Sequence, residues 1–241
     1  MSIDKVLIVG DIFEEYRKTA EGVMLYSEFV SEVAELGPAA FAGMKIVPGQ
    51  GLSDAELDSI ATVVRQAGGG AIFEKRADRA LTHKHELRNI MITEPEEAGE
   101  RLYRSELRVD GRCAEMSDHR TGLHLQGMVL VEACRQMLVA ATEKFLLPRE
   151  REHRYSFVFD RMDTRFIEFA FPFGAEVALD VIDSSSRGDL LYKFAVQMKV
   201  IQSGRELFRM DAGYSVMSRD YIEFKEAKLA KAGTEQFLKG A

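Results

Sequence analysis

Apolar positions in the first third of the chain fall in short β-branched runs separated by one stretch of helical spacing. Lys5–Gly10 (KVLIVG), Gly22–Val30 (GVMLYSEFV) and Met44–Pro48 (MKIVP) each read as strands. Between Ser53 and Ala67, apolar residues stand at Leu57, Ile60, Ala61, Val64 and Ala67, which is helical spacing. Ser53 is placed as N-cap and Glu56, three residues on, completes a capping box. Gly68–Gly70 close that helix, and Ala71–Glu74 reads as a further strand. Alternation of strand and helix predicts a small α/β (Rossmann-like) unit over residues 1–76. It contains no G-x-G-x-x-G and no G-x-x-x-x-G-K-[ST], so a scaffold or docking role is expected in place of nucleotide binding.

The pattern changes after Arg79. Leu87–Thr93 and Leu102–Val109 are strand-like. Gly122–Leu147 is apolar on nearly every helical face, which marks a buried helix, and Pro148 stops it. Four strand-like segments follow, Tyr155–Phe159 continuing toward Phe171, Glu176–Ile182, Leu190–Ile201 and Glu206–Ser218. The turns between them sit at Pro172–Gly174, Ser184–Gly188 and Ser203–Gly204, and together they predict an antiparallel meander. Residues 219–231 form a polar amphipathic helix and the last ten residues are expected to fray. A single helix can be apolar all round only if a sheet surrounds it. The expected fold class is therefore α+β, a hotdog fold with an antiparallel sheet wrapped around one long central helix, over residues 80–218. The small α/β unit precedes it and residues 219–241 make a C-terminal helix and tail. Exposed sheet edges invite pairing, so a homodimer is expected.

Composition narrows the partners. The net charge is −7, which argues against a nucleic-acid backbone as ligand. Two local basic clusters, Arg76–Arg88 and Arg149–Arg154, either meet a phosphate or face solvent. No run of roughly 18 apolar residues is present, so no membrane span is expected. Cys113 and Cys134 give no disulfide framework and fit reduced thiols in a cytoplasmic protein, with Cys134 a small core residue.

Chemistry concentrates around the start of the buried helix. Four of the five histidines, His83, His85, His119 and His124, bracket it. His119 and His124 lie in the loop leading into the helix, and Glu132, Arg135 and Gln136 lie within it. Gly127, near the helix start, leaves room for a ligand or for close packing. Glu132 sits between Val131 and Ala133, so it needs a partner, Arg135 or a histidine, or else a raised pKa and a task. The four histidines include no i, i+4 pair on one helix and no Cys-x-x-Cys accompanies them, so no metal site is expected.

These residues resemble the A-factor biosynthesis (AfsA-type) hotdog family. Its signature pairs a His-Lys element before the first strand with a DH…H…GM-x-L-x-EA-x-RQ element at the central helix. Here the first is His83-Lys84, with Asn89 and Thr93 downstream. The second is Asp118-His119, His124, Gly127-Met128, Leu130, Glu132-Ala133 and Arg135-Gln136. The helix element is also similar to the more distant hydroxyacyl-carrier-protein dehydratases, in which a loop His and a helix Glu face each other. Leu123 and Gln126 depart from the usual pattern, and the chain carries one such domain where family members often carry two.

The resemblance implies a fatty acyl or β-ketoacyl thioester, on coenzyme A or acyl-carrier protein, as ligand. It further implies acyl transfer to the hydroxyl of a small phosphorylated acceptor, in secondary-metabolite or signal biosynthesis, without a cofactor. On that reading His119, His124 and Glu132 are catalytic, and His83, Lys84, Asn89, Gly127, Arg135 and Gln136 bind substrate. A hydratase or dehydratase, a thioesterase and a non-catalytic acyl-thioester binding module are the alternatives.

Overall fold

The computed structural model describes residues 5–70, 73–119, 121–148, 155–188 and 190–240. The N-terminal unit comprises β1 (Lys5–Val9), α1 (Glu14–Arg17), β2 (Val23–Leu25), α2 (Tyr26–Leu36), β3 (Lys45–Pro48) and α3 (Asp54–Gln66). Its three strands are parallel in the order β2-β1-β3. The α3 capping box forms as read: Ser53 Oγ accepts from the Glu56 amide and Glu56 Oε2 accepts from the Ser53 amide. The stretch Gly22–Val30 is a correction, because only Val23–Leu25 is strand and the rest opens α2. Tyr26, Phe29, Val30 and Val33 stand at helical spacing, Phe29 is buried, and Glu28 reaches back to accept from the Leu25 amide. In the strand expected at Ala71–Glu74, residues 71–72 lie outside the described residues, and Phe73 and Glu74 join no strand.

The second unit runs α4 (Arg79–Thr82), β4 (Glu96–Gly99), β5 (Leu102–Glu106), α5 (Ala114–Asp118) and α6 (Gly127–Ala141). It continues with β6 (Tyr155–Phe166), β7 (Glu176–Arg187), β8 (Leu191–Gln202), β9 (Arg205–Ser218) and α7 (Arg219–Lys239). One antiparallel sheet of six strands, ordered β4-β5-β7-β8-β9-β6, curves around α6. This is a hotdog. Strands β7, β8 and β9 form the expected meander, but β6 does not precede β7 in the sheet. It pairs with β9 at the far edge (Tyr155↔Ser218 to Phe166↔Phe208), because α6 carries the chain across the sheet from β5.

Three further boundaries differ from the pattern reading. Leu87–Thr93 makes a turn of 3-10 helix and isolated bridges instead of a strand. Leu87 and Arg88 are exposed, whereas Ile90, Met91 and Ile92 are all fully buried, so the second half of the segment is inserted into the core without strand alternation. The central helix begins at Gly127, not Gly122, since Leu125 is held in extended backbone by the Ala170 carbonyl. It then continues past Ala141 as a π-helical turn, Thr142–Leu146. The C-terminal helix extends to Lys239, over residues expected to fray.

A large apolar core is shared by both units, beside a second cluster (Ile8, Phe29, Phe41, Ile60) confined to the first. Val9, Phe13, Val23 and Leu25 belong to the same buried cluster as Val129, Leu138, Val177 and Phe208. Buried Gln50 donates to the Leu107 carbonyl (2.9 Å) and accepts from the Val109 amide (2.8 Å). Arg76 extends this seam: its guanidinium bonds Asp54 and the carbonyls of Leu52, Ile90 and Arg108. Open parallel sheets bind ligands at the carboxyl ends of their strands. Here that end is occupied: a Cβ on Gly10 would stand 2.1 Å from the Gly51 oxygen, and Gly51 bridges to Asp110.

Candidate active site

The His-Lys element and the helix element meet. Glu132 on α6 accepts from Arg135 Nε (2.7 Å) and Nη2 (2.9 Å), and from Gln136 Nε2 (2.9 Å). Lys84 Nζ lies 2.6 Å from the same carboxylate. Burial pushes the Glu132 carboxyl up, but the hydrogen bonds and charge of Arg135, with Lys84 and Gln136, more than offset this and hold it below its ordinary value. The partner expected for Glu132 is therefore Arg135, joined by Lys84, and its pKa moves down, not up.

Gln136 is fully buried and spends both ends of its amide on this junction. Its oxygen accepts from the Met91 amide (2.8 Å), and its nitrogen also reaches the Asn89 carbonyl (2.8 Å). Asn89 Oδ1 accepts from the Ala114 amide (2.9 Å) at the start of α5. The side chains of Asn89 and Gln136 thus hold backbone.

His83 has left-handed backbone (φ 53°, ψ 42°) as the residue that ends α4. Its Nε2 lies 2.7 Å from Oε1 of Glu143, a buried carboxylate in the π-helical turn that the sequence reading did not single out. Glu132 and Glu143 are eleven residues apart, roughly 16 Å along the helix. Adjacent residues His83 and Lys84 span that gap because the left-handed turn splays their side chains. His83 and Arg135 share a cleft of about 390 Å³ with Tyr155, Phe157, Arg219 and Glu223.

A second cleft, about 590 Å³, opens at the start of α6 and is lined by His124, Gly127, Leu130, Phe166, Phe169 and Phe171. The His124 ring lies 4.7 Å from that of Phe169. Gly127 lies directly against Phe166: a Cβ there would stand 2.4 Å from Phe166 Cε1, so that exposed ring would have to move. Among the described residues no side chain caps α6; Gln126, its N-cap, turns its amide to the carbonyls of Glu115 and His119 instead. His119 is exposed and contributes only its carbonyl to that contact, so it is not brought to the cleft. The sequence reading did not single out this aromatic wall, because its approach to Gly127 depends on where β6 ends.

The profile of the A-factor biosynthesis hotdog domain matches residues 70–218, more than half of the chain. The chain belongs to that family. No curated protein matches it. Among solved structures, a thioesterase from Haemophilus influenzae is 14% identical, covering 53% of this chain and 78% of that one (TM-score 0.37). A hot-dog-like protein from Thermanaerovibrio acidaminovorans is 15% identical, covering 53% and 88% (TM-score 0.38). A putative thioesterase from Shewanella oneidensis is 8% identical, covering 58% and 86% (TM-score 0.37).

In this A-factor-type hotdog domain the remaining candidates are inert. Burial pushes the Cys113 thiol up to about 11 and the Cys134 thiol up as well, so neither is a thiolate near neutral pH. Arg76, the start of one basic cluster, is consumed by the seam between the two units. Arg149–Arg154, the other, lies outside the described residues. Among the described residues no three metal-ligating side chains gather, and no helix is long and apolar enough to cross a membrane.

Proposed function

We propose that this protein is an acyl-thioester enzyme that moves a fatty or β-ketoacyl group from coenzyme A or acyl-carrier protein to a small hydroxylated acceptor. The observation that carries this reading is the uncapped first turn of α6 opening onto an apolar, aromatic-walled cleft. The Val129 amide donates to the Gln126 carbonyl (3.1 Å), which leaves the Gly127 and Met128 amides to carry the positive end of the helix dipole. A thioester carbonyl placed there has donors for its developing negative charge, with His124 beside it. The volume and the Phe166, Phe169 and Phe171 wall suit an acyl chain. A third cleft, about 480 Å³ around Glu94, Glu96, Arg104, Glu106 and Glu176, is acidic and would repel the phosphates of coenzyme A.

In this reading Glu132 is a fixed anion that orders Lys84 and Arg135, and it carries no proton. A dehydratase using Glu132 as its acid is disfavoured by the cations that hold it ionised.

The reading includes a homodimer through β6. That strand is a sheet edge, and Val158, Phe159, Met162 and Phe166 are exposed along it. Its first residues line the His83 cleft and its last the His124 cleft. Antiparallel pairing about a two-fold axis would bring one protomer's His83 cleft beside its partner's acyl cleft. Incubation with acyl-CoA and acyl-carrier-protein panels, with and without hydroxylated acceptors, tests the proposal by mass spectrometry. Acceptor-dependent acyl esters are the expected product. Loss of water from a 3-hydroxyacyl thioester without acceptor identifies a dehydratase instead.

A further inference from the structure

His83 was expected to bind substrate, and Glu143 was not singled out at all. Their geometry supports a more specific role. Left-handed backbone at a non-glycine residue costs on the order of 1–3 kcal/mol and persists where surrounding structure enforces it, often at functional sites. His83 has φ 53°, and its ring is set edge-on to Phe157 at 5.5 Å. The carboxylate it meets, Glu143, is itself placed by a π-helical turn, an uncommon local widening frequently found at functional positions. Two irregular backbone features, on segments sixty residues apart, therefore converge on one 2.7 Å contact.

The chemistry of the pair follows. A carboxylate only accepts, so in the neutral ring this bond selects the Nε2–H tautomer, whose Nδ1 carries a lone pair. The Glu143 side chain is 1% exposed and that of His83 26%, so the carboxylate lies behind and the ring reaches the cleft. Arg219 and Arg135, the latter already paired with Glu132, line the same cleft together with Glu223 and Glu226, so the cleft is polar and of mixed charge.

We propose that His83 is the general base of the reaction, with Glu143 as its positioning residue. This rests on the acyl-transfer reading above. Glu143 lies sixteen residues beyond Gly127, roughly 24 Å along the helix, so the base acts across the β6 dimer. His83 Nδ1 takes the proton of the acceptor hydroxyl as that oxygen attacks the thioester carbonyl held at the partner protomer's α6 start. The C–O bond forms, the C–S bond breaks, and the imidazolium returns its proton to the leaving thiolate. The products are an acyl ester and a free thiol, with no other reactant consumed.

The test uses the full chain with β-ketooctanoyl-CoA, glycerol phosphate as acceptor, and thiol release as readout. His83→Gly suits the left-handed backbone and leaves a ring-sized space; His83→Asn also tolerates that backbone and is no base. Both variants should stay folded, with His83→Gly melting lower because the buried Glu143 carboxylate loses the His83 bond, and both should lose about 10²–10⁴-fold in kcat per folded molecule. Added imidazole should restore His83→Gly, and restore it less when Glu143→Gln is also present. Glu143→Gln alone should lower kcat while leaving KM for the acceptor unchanged. Retention of wild-type kcat by folded His83→Gly or His83→Asn overturns the base assignment alone. Equal imidazole rescue with and without Glu143 overturns the positioning role. A wild-type protein that turns over no thioester overturns the transferase reading itself, and the base with it.

Discussion

Glu132→Gln separates a structural anion from a proton carrier. In the wild type the carboxylate neutralises Lys84 and Arg135, whose side chains are only 19% and 30% exposed. Removing one partner of a buried pair costs about 3–5 kcal/mol, because the remaining charge is stranded. Glutamine still accepts one bond and both cations retain some water, so the lower end applies, about 3 kcal/mol. For a chain of this size each kcal/mol moves the thermal midpoint by about 2–4 °C, so a fall of about 6–12 °C is expected at pH 7. The pH dependence has a definite sign. A depressed folded-state pKa contributes stability that is present above the ordinary carboxylate value of 4.5 and is lost as pH falls through the folded value. The gap between wild type and Glu132→Gln should therefore be full at pH 7 and close progressively as pH falls below 4.5. Replacing Lys84 with Met in both backgrounds should recover part of the loss, since one stranded cation is gone. Scanning calorimetry across pH measures this, and turnover per folded molecule should fall by less than about tenfold. An unchanged midpoint together with a 10²–10⁴-fold loss of turnover would refute the argument and make Glu132 the acid–base residue.

Gly127→Ala should abolish acyl-thioester binding with little change in melting temperature, because the added Cβ drives the exposed Phe166 ring into the cleft; calorimetric titration with acyl-CoA reads this out. A chain beginning at Arg76 should fail to melt cooperatively. It lacks Val9, Phe13, Val23 and Leu25, whose burial is worth about 1.5–3 kcal/mol each, comparable in sum to the whole stability of a domain. The wild type should be a dimer by light scattering at micromolar concentration, and Met162→Lys on the edge strand should yield a folded monomer of reduced turnover.

The hotdog was legible because its central helix is apolar on nearly every face, and only an enclosing sheet makes that tolerable. Ser53 and Glu56 announced their helix for an equally local reason, a cap completed within four residues. What failed was long-range. Alternation along β6 to β9 says nothing about order, and the placement of β6 at the far edge follows from the crossing of α6. The core shared between the two units was hidden too, since Gln50 and Arg76 look like surface residues until their backbone partners are known. At the candidate site, Glu132 beside two apolar residues signalled a partner, and Arg135 three positions on was the local answer. Lys84 and Glu143 were harder, because each contact joins α6 to a segment about fifty to sixty residues earlier.

The central claim is that the cleft at the start of α6 holds the acyl chain. An acyl-CoA carrying a photoreactive diazirine at the end of its chain tests this on the full-length protein, with peptide mapping of the adducts. The account predicts labelling within Leu130 and Phe166–Phe171, competed by unlabelled acyl-CoA and lost in Gly127→Ala. Labelling concentrated instead around Glu94, Arg104 and Glu176, or labelling indifferent to Gly127→Ala, would contradict it.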